Sequence, residues 1–83
     1  MVFKPIICLD FDGVLHSYES GWPKGRFPHA RITDGPTPGA MRFLEALFLD
    51  GRFKVAIYSS RSKWPWGRWA MRRWLYRSLI AEF

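Results

Sequence analysis

The sequence has few of the features that mark secreted or membrane-spanning proteins. Its one cysteine, Cys8, cannot form a disulfide within the chain, which predicts a reducing compartment. No apolar run approaches the ~20 residues that a membrane-spanning helix needs, and Lys4 and Pro5 interrupt the start before a signal-peptide core could form. We therefore expect a cytoplasmic protein without a membrane span. The length of 83 residues is enough for one domain and too short for two.

Acidic side chains are scarce, and side-chain amides are absent. Seven Asp and Glu residues stand against 13 Lys and Arg residues, which gives a net charge of +6, and the chain has no Asn and no Gln. Such a surplus attracts polyanions such as nucleic acid or phosphorylated ligands. Nine of the 13 basic residues are arginines, however, and a GC-rich coding bias would produce that excess without selection for binding. The charge therefore allows nucleic acid as a partner but does not favour it.

Two apolar segments have the composition of buried β-strands. The first, residues 5–10 (PIICLD), shows no alternation of apolar and polar residues, which is typical of a strand buried on both faces inside a parallel sheet. The second, residues 53–59 (FKVAIYS), is rich in β-branched and aromatic residues. Residues 14–38 lie between them, are rich in Gly and Pro, and lack periodicity. We expect these residues to form a long flap or lid over the end of the first strand.

Two helices complete the predicted order of elements. The first is predicted to begin with Thr37 as N-cap and Pro38 as its first residue, and to end at Gly51. Pro65 marks the start of the second helix, which continues toward the C-terminus. The order strand, loop, helix, strand, helix predicts one α/β domain over residues 1–83, with a short parallel sheet joined by a right-handed crossover.

Two carboxylates follow the first predicted strand at a spacing that suggests a metal site. Asp10 and Asp12 are two residues apart, so in extended chain their side chains point to the same side, toward the crevice at the carboxyl edge of a parallel sheet. Paired carboxylates need a compensating cation, and Mg²⁺ prefers such hard oxygen ligands together with water and substrate phosphate. Gly13 permits a sharp turn of the backbone, which lets phosphate oxygens approach.

This pattern resembles the haloacid dehalogenase (HAD) superfamily. Asp10–Leu15 (DFDGVL), preceded by an apolar strand, looks like its first motif, and Val55–Ser59 (VAIYS) looks like its second. The resemblance implies a HAD-like Rossmannoid fold and Mg²⁺-dependent phosphoryl transfer through an aspartyl-phosphate. It implies that Asp10 is the nucleophile, that Asp12 is the general acid and base, and that Ser59 binds the phosphoryl group.

Neighbouring residues are predicted to assist. Gly13 and Ser60 are expected to help bind phosphate, and His16 and Arg61 are candidates for contact with the substrate. The superfamily's third motif has no clear counterpart here, and its fourth, a pair of acidic residues after a later strand, is absent, since Glu82 is the only acidic residue after Asp50. The chain therefore resembles a truncated member whose catalysis is impaired.

The predicted second helix favours association with a partner. Its apolar and aromatic positions cover an arc of roughly 240°, wider than the ~100° that one core requires, so part of that surface needs another cover. We therefore expect a homo-oligomer that acts on a phosphorylated small molecule or nucleotide. The alternative is a catalytically inactive module that oligomerises, or binds nucleic acid or protein, through this Trp- and Arg-rich helix. The segment from Arg61 to Arg77, which includes the start of this helix, has six basic residues, four tryptophans and no acidic residue.

Overall fold

The computed structural model describes residues 3–83, so residues 1 and 2 of the predicted domain lie outside the described residues. Two strands, two α-helices and two short 3₁₀ turns follow one another along this part of the chain. In chain order they are β1 (Ile6–Asp10), a 3₁₀ turn (Pro28–Ala30), α1 (Ala40–Asp50), β2 (Lys54–Tyr58), a second 3₁₀ turn (Ser60–Lys63) and α2 (Pro65–Glu82). The predicted order of strands and helices is confirmed.

The two strands form a parallel sheet. The register pairs Ile6 with Lys54 at one end and Asp10 with Tyr58 at the other. Both strands therefore end at the same edge of the sheet, and the residues that follow them meet there. The structure is a small mixed α/β fold. Neither α-helix in the described part of the chain is both long and apolar enough to cross a bilayer.

Only one face of the sheet is covered. Leu9, Val55 and Ile57 pack against the core that the two α-helices complete. The alternate residues point the other way, and Ile6 and Tyr58 on that face remain 63% and 57% exposed. The prediction that the first strand is buried on both faces is therefore wrong. The reason is that both helices pack on the same face, so that no layer within residues 3–83 covers the opposite face.

The core joins the first motif to both helices. Its fully or largely buried side chains come from the chain after β1, from α1 and from α2, and they are Phe11, Leu15, Ala40, Met41, Leu44 and Met71. Phe11 lies between the two carboxylates of the motif, and because side chains alternate along extended chain it points into the core. Its ring meets Trp74 of α2 edge to face, with the ring centroids 5.1 Å apart. This contact fixes the motif against the helix layer.

Helix α1 begins later than the sequence predicts. Its N-cap is Gly39, in left-handed conformation (φ 82°), and its first residue is Ala40, two residues beyond Pro38. The cause is a pairing outside the helix, since the Thr37 N–H donates to the Leu15 carbonyl at 2.8 Å and Pro36 forms a β-bridge with His16. These contacts hold the end of the flap extended. The predicted stop at Gly51 (φ 72°) is confirmed.

A glycine in the first turn of α2 allows the helix to pass close to the second 3₁₀ turn. Gly67 is buried, and a Cβ atom built on it would lie 2.0 Å from the backbone oxygen of Arg61 and 2.9 Å from its carbonyl carbon. No side chain fits in that space without moving the Arg61 backbone. Gly67 therefore helps to set the position of Arg61.

We expect Gly67→Ala to destabilise the protein by about 2–3 kcal/mol, the upper part of the usual range for overpacking. The matched control is Gly35→Ala, because a Cβ atom at Gly35 meets nothing within 4 Å. Chemical denaturation of both variants measures the difference. Equal stability of the two variants would contradict the close packing of α2 on Arg61.

Candidate functional site at the carboxyl edge of the sheet

The structure brings together four of the predicted site residues, and Asp12 and Ser59 are the two that lie at the strand ends. Asp12 lies two residues beyond the end of β1, and Ser59 directly follows β2. The Ser59 hydroxyl donates to Oδ2 of Asp12 at 3.1 Å. The same hydroxyl oxygen accepts the backbone N–H of Arg61 at 3.1 Å and so caps the second 3₁₀ turn. The meeting of these two side chains follows from the parallel register of the strands.

Arg61 is the most connected residue of this site. Its side chain is fully buried, and Nε donates to both oxygens of Asp12, at 3.2 and 3.0 Å. Its Nη1 contacts three backbone carbonyls of the flap, those of Pro28, His29 and Arg31, at 3.2, 3.0 and 2.8 Å. The guanidinium therefore binds the carboxylate at the strand ends and the flap at the same time.

Aromatic rings enclose the Arg61 guanidinium. Its central carbon lies 5.0 Å from the ring centroid of Trp22 in the flap and 6.0 Å from that of Phe11. Such cation–π contacts contribute more where water is excluded. Nη2 is buried without a hydrogen-bond partner in residues 3–83. The positive charge is thus compensated by the Asp12 carboxylate, by the flap carbonyls and by aromatic faces.

His16 is the fourth member of the site. It is fully buried, and its Nδ1 lies 2.9 Å from Oδ1 of Asp12. Its Nε2 accepts the backbone N–H of Asp34 at 3.1 Å. A ring that donates at Nδ1 and accepts at Nε2 is the neutral tautomer, which these hydrogen-bond partners assign. We call Asp12, His16, Ser59 and Arg61 the Asp12 network.

The network keeps Asp12 ionised. Partial burial of the carboxyl raises its pKa, but hydrogen bonds from Arg61, His16 and Ser59 and the charge of Arg61 outweigh that effect. The pKa of Asp12 therefore lies below its ordinary value of 3.8. At neutral pH the side chain is a carboxylate that accepts protons and hydrogen bonds.

The other predicted site residues lie around the network. Asp10 ends β1 on the open face of the sheet, with an exposed side chain that no hydrogen bond or ion pair within residues 3–83 engages. Gly13 is exposed and adopts φ 83°, and its N–H donates to the His16 carbonyl at 2.8 Å. Ser60, also exposed, begins the second 3₁₀ turn. Asp10, Gly13 and Ser60 thus have the accessibility that a phosphate site requires.

Of the two carboxylates predicted to bind Mg²⁺, Asp10 and Asp12, only Asp10 is free of a cationic partner within residues 3–83. Among residues 3–83, no three His, Cys, Asp or Glu side chains are close enough together to hold a metal ion. The Asp12 carboxylate is already compensated by Arg61, whose positive charge would oppose a second cation on the same oxygens. Asp10 offers a carboxylate free of such partners. A cation bound there would take its remaining ligands from water and substrate phosphate.

The sequence does not reveal the structural roles of His16 and Arg61. Both were predicted as candidates for substrate contact, whereas the structure buries them completely and engages their polar atoms with Asp12 and the flap. Contact of either side chain with a substrate stays a prediction, and it requires the flap to move. The sequence contains one indication of the position of Arg61. It follows Ser59 by only two residues, and the short turn between them brings it back to the edge of the sheet.

We expect Asp12→Asn to lower stability by about 3 kcal/mol at neutral pH, because it leaves the buried Arg61 charge without its partner. The folded pKa of Asp12 is depressed, so its contribution is fully present above the unfolded value and is lost as pH falls through the folded value. The stability gap between the wild type and Asp12→Asn should therefore stay constant above about pH 5 and shrink below about pH 4.

Urea denaturation across this pH range measures the gap, with Glu19→Gln as a control that removes an exposed carboxylate of the flap. A gap that does not change with pH would contradict the ionised Asp12 network.

Comparisons with known proteins give no relative for this chain: no family model, no curated protein and no solved structure matches it.

Proposed function

We propose that this chain is a phosphohydrolase-like protein. It transfers a phosphoryl group from its substrate to Asp10, and water then hydrolyses the resulting aspartyl-phosphate. The observation that carries the proposal is the hydrogen bond between Asp12 and Ser59, which joins the predicted acid/base to the predicted phosphate-binding hydroxyl across two parallel strands. Asp10 lies at the end of the same strand with an unengaged, exposed carboxylate. This arrangement agrees with the resemblance to the HAD superfamily.

The two carboxylates differ in a way that suits two roles. A nucleophile must be accessible and free to form a bond, and Asp10 has both properties. An acid/base must be oriented, and three side chains orient Asp12. In the proposed first step an Asp10 oxygen attacks phosphorus, the bond from phosphorus to the leaving oxygen breaks, and that oxygen takes a proton from Asp12. In the second step water gives a proton to Asp12 and attacks phosphorus, which releases phosphate and restores the Asp10 carboxylate.

The depressed pKa of Asp12 favours the second step over the first. Asp12 is a carboxylate in the free protein, so it is prepared to accept the proton of the attacking water. To protonate a leaving group it must first gain a proton. A bound phosphate dianion would raise the pKa of Asp12 through like-charge repulsion, opposing the effect of Arg61. The need to protonate Asp12 before the first step agrees with the impaired catalysis that the missing third and fourth motifs predict.

Gly13 and Ser60 support binding of the phosphoryl group by their exposed position at the same edge of the sheet. Mg²⁺ is the proposed cofactor, held at Asp10. When bound, it would neutralise negative charge on the phosphate. The proposed substrate is a phosphorylated small molecule or nucleotide, and the proposed compartment is the cytoplasm.

A second candidate function is binding through α2 without catalysis. It is supported by large side chains that α2 leaves exposed, with Trp69 at 59%, Tyr76 at 68% and Ile80 at 59%. Exposed apolar side chains on one face of a helix are typical of an interaction surface. We propose that a second copy of the chain covers it, which gives a homo-oligomer with α2 in the interface.

We expect Asp10→Asn to reduce hydrolysis of p-nitrophenyl phosphate in the presence of Mg²⁺ to the uncatalysed rate, because the variant lacks the nucleophile while the Asp12 network stays intact. The matched control is Asp50→Asn. Its exposed carboxylate, at the end of α1, pairs with Arg52 outside the site.

Release of p-nitrophenolate by the wild type, both variants and a metal-free sample measures the effect. Unchanged activity in Asp10→Asn would assign the turnover to other chemistry. Absence of activity in the wild type, at a protein concentration that detects slow turnover, would favour the binding function.

A further inference from the structure

Five aromatic side chains form a connected surface where the flap meets the start of α2. Three belong to the flap, and two lie at the N-cap and second position of α2; we call them the aromatic cluster: Trp22, Phe27, His29, Trp64 and Trp66. Trp64 and Trp66 stack with centroids 5.0 Å apart and planes 11° from parallel. The remaining neighbours meet edge to face over 5.3–6.2 Å.

The cluster is not part of the core. Trp64 and Trp66 are 43% and 39% exposed, and Phe27 is 60% exposed, whereas Phe11 in the core is fully buried. Apolar surface is thus exposed to solvent in one place, which is typical of an interaction site. The contacts among the rings hold them in a fixed arrangement, so their outer faces and edges are organised before any ligand arrives.

Four basic residues flank the cluster along the chain, and we call them the basic rim. Lys24 and Arg26 in the flap and Lys63 and Arg68 beside the tryptophans are all exposed. Residues 20–33 and 51–81 contain no Asp or Glu. The ion pairs within residues 3–83 involve other arginines, so these four cations keep their charge available.

We propose that the aromatic cluster and its basic rim bind single-stranded nucleic acid. Exposed rings stack on bases, and the basic rim binds the phosphates that connect them. A duplex keeps its base faces stacked internally, so it offers only its phosphates to such a surface. A second copy of the chain is disfavoured here, because two basic rims would face each other in a chain that already has a net charge of +6.

The cluster also lies beside the candidate catalytic site, since Trp22 stacks over the Arg61 guanidinium of the Asp12 network. The inference does not rest on the proposed phosphohydrolase function, because binding is measured without turnover. The two proposals can therefore fail separately: a chain without phosphatase activity can still bind nucleic acid, and an active chain can fail to bind it.

The test is fluorescence anisotropy of a labelled oligothymidylate against the full chain, with an abasic strand of the same length as the matched ligand. We expect the oligothymidylate to bind at least about tenfold more tightly than the abasic strand, because stacking contributes only where bases are present. We expect the logarithm of affinity to fall with the logarithm of salt concentration with a slope of about −2, for roughly three phosphates neutralised.

The double variant Trp64→Ala and Trp66→Ala should lose at least about tenfold in affinity for oligothymidylate. The matched control, Phe43→Ala, removes an exposed aromatic ring (53%) from α1, outside the cluster and outside the proposed α2 interface, and should leave affinity unchanged. Equal affinity for the two strands, or no binding, would overturn the proposal without any variant. A dimer in light scattering that dissociates in the double variant would also overturn it, by assigning the surface to a second copy.

Discussion

The ion pair between Arg61 and Asp12 is the interaction on which the rest of the site depends. A fully buried guanidinium is costly unless its charge is compensated, and here the Asp12 carboxylate and two aromatic faces compensate it. The same guanidinium binds three flap carbonyls, so one side chain connects the sheet edge to a long loop. The charge of Asp12, the position of Ser59 and the order of the flap are therefore linked.

This linkage explains how a small chain keeps the site residues ordered at the carboxyl edge of a sheet with only two strands. The sheet has a single covered face, and its core contains few large side chains, so apolar burial alone provides limited stability. Polar contacts concentrate where the chain has no regular structure, at the base of the flap. Gly67 permits this arrangement, because only a residue without Cβ lets α2 approach the Arg61 backbone so closely.

The strands and the helices could be predicted because each has a local signal, whereas the meeting of Asp12 with Ser59 depends on the parallel pairing of two strands distant in sequence. Strand composition, turn residues and the spacing of two carboxylates all act within a few residues. The burial of the first strand could not be predicted, because an apolar run such as PIICLD does not reveal how many layers will cover it. The roles of His16 and Arg61 were also hidden, since each depends on a contact with the flap that is distant in sequence, across 18 residues for His16 and 30 for Arg61.

The central claim is that Arg61 holds the flap to the strand ends, and amide hydrogen exchange in Arg61→Lys tests it most directly. In the wild type the N–H groups of Ala30, Arg31 and Asp34 are hydrogen-bonded within the flap or to His16. Lysine keeps the charge but cannot contact Asp12 and the flap carbonyls together. The account predicts exchange at these three amides that is at least about tenfold faster, with the amides of α1 unchanged. Unchanged protection of the flap, or an equal increase throughout α1, would contradict it.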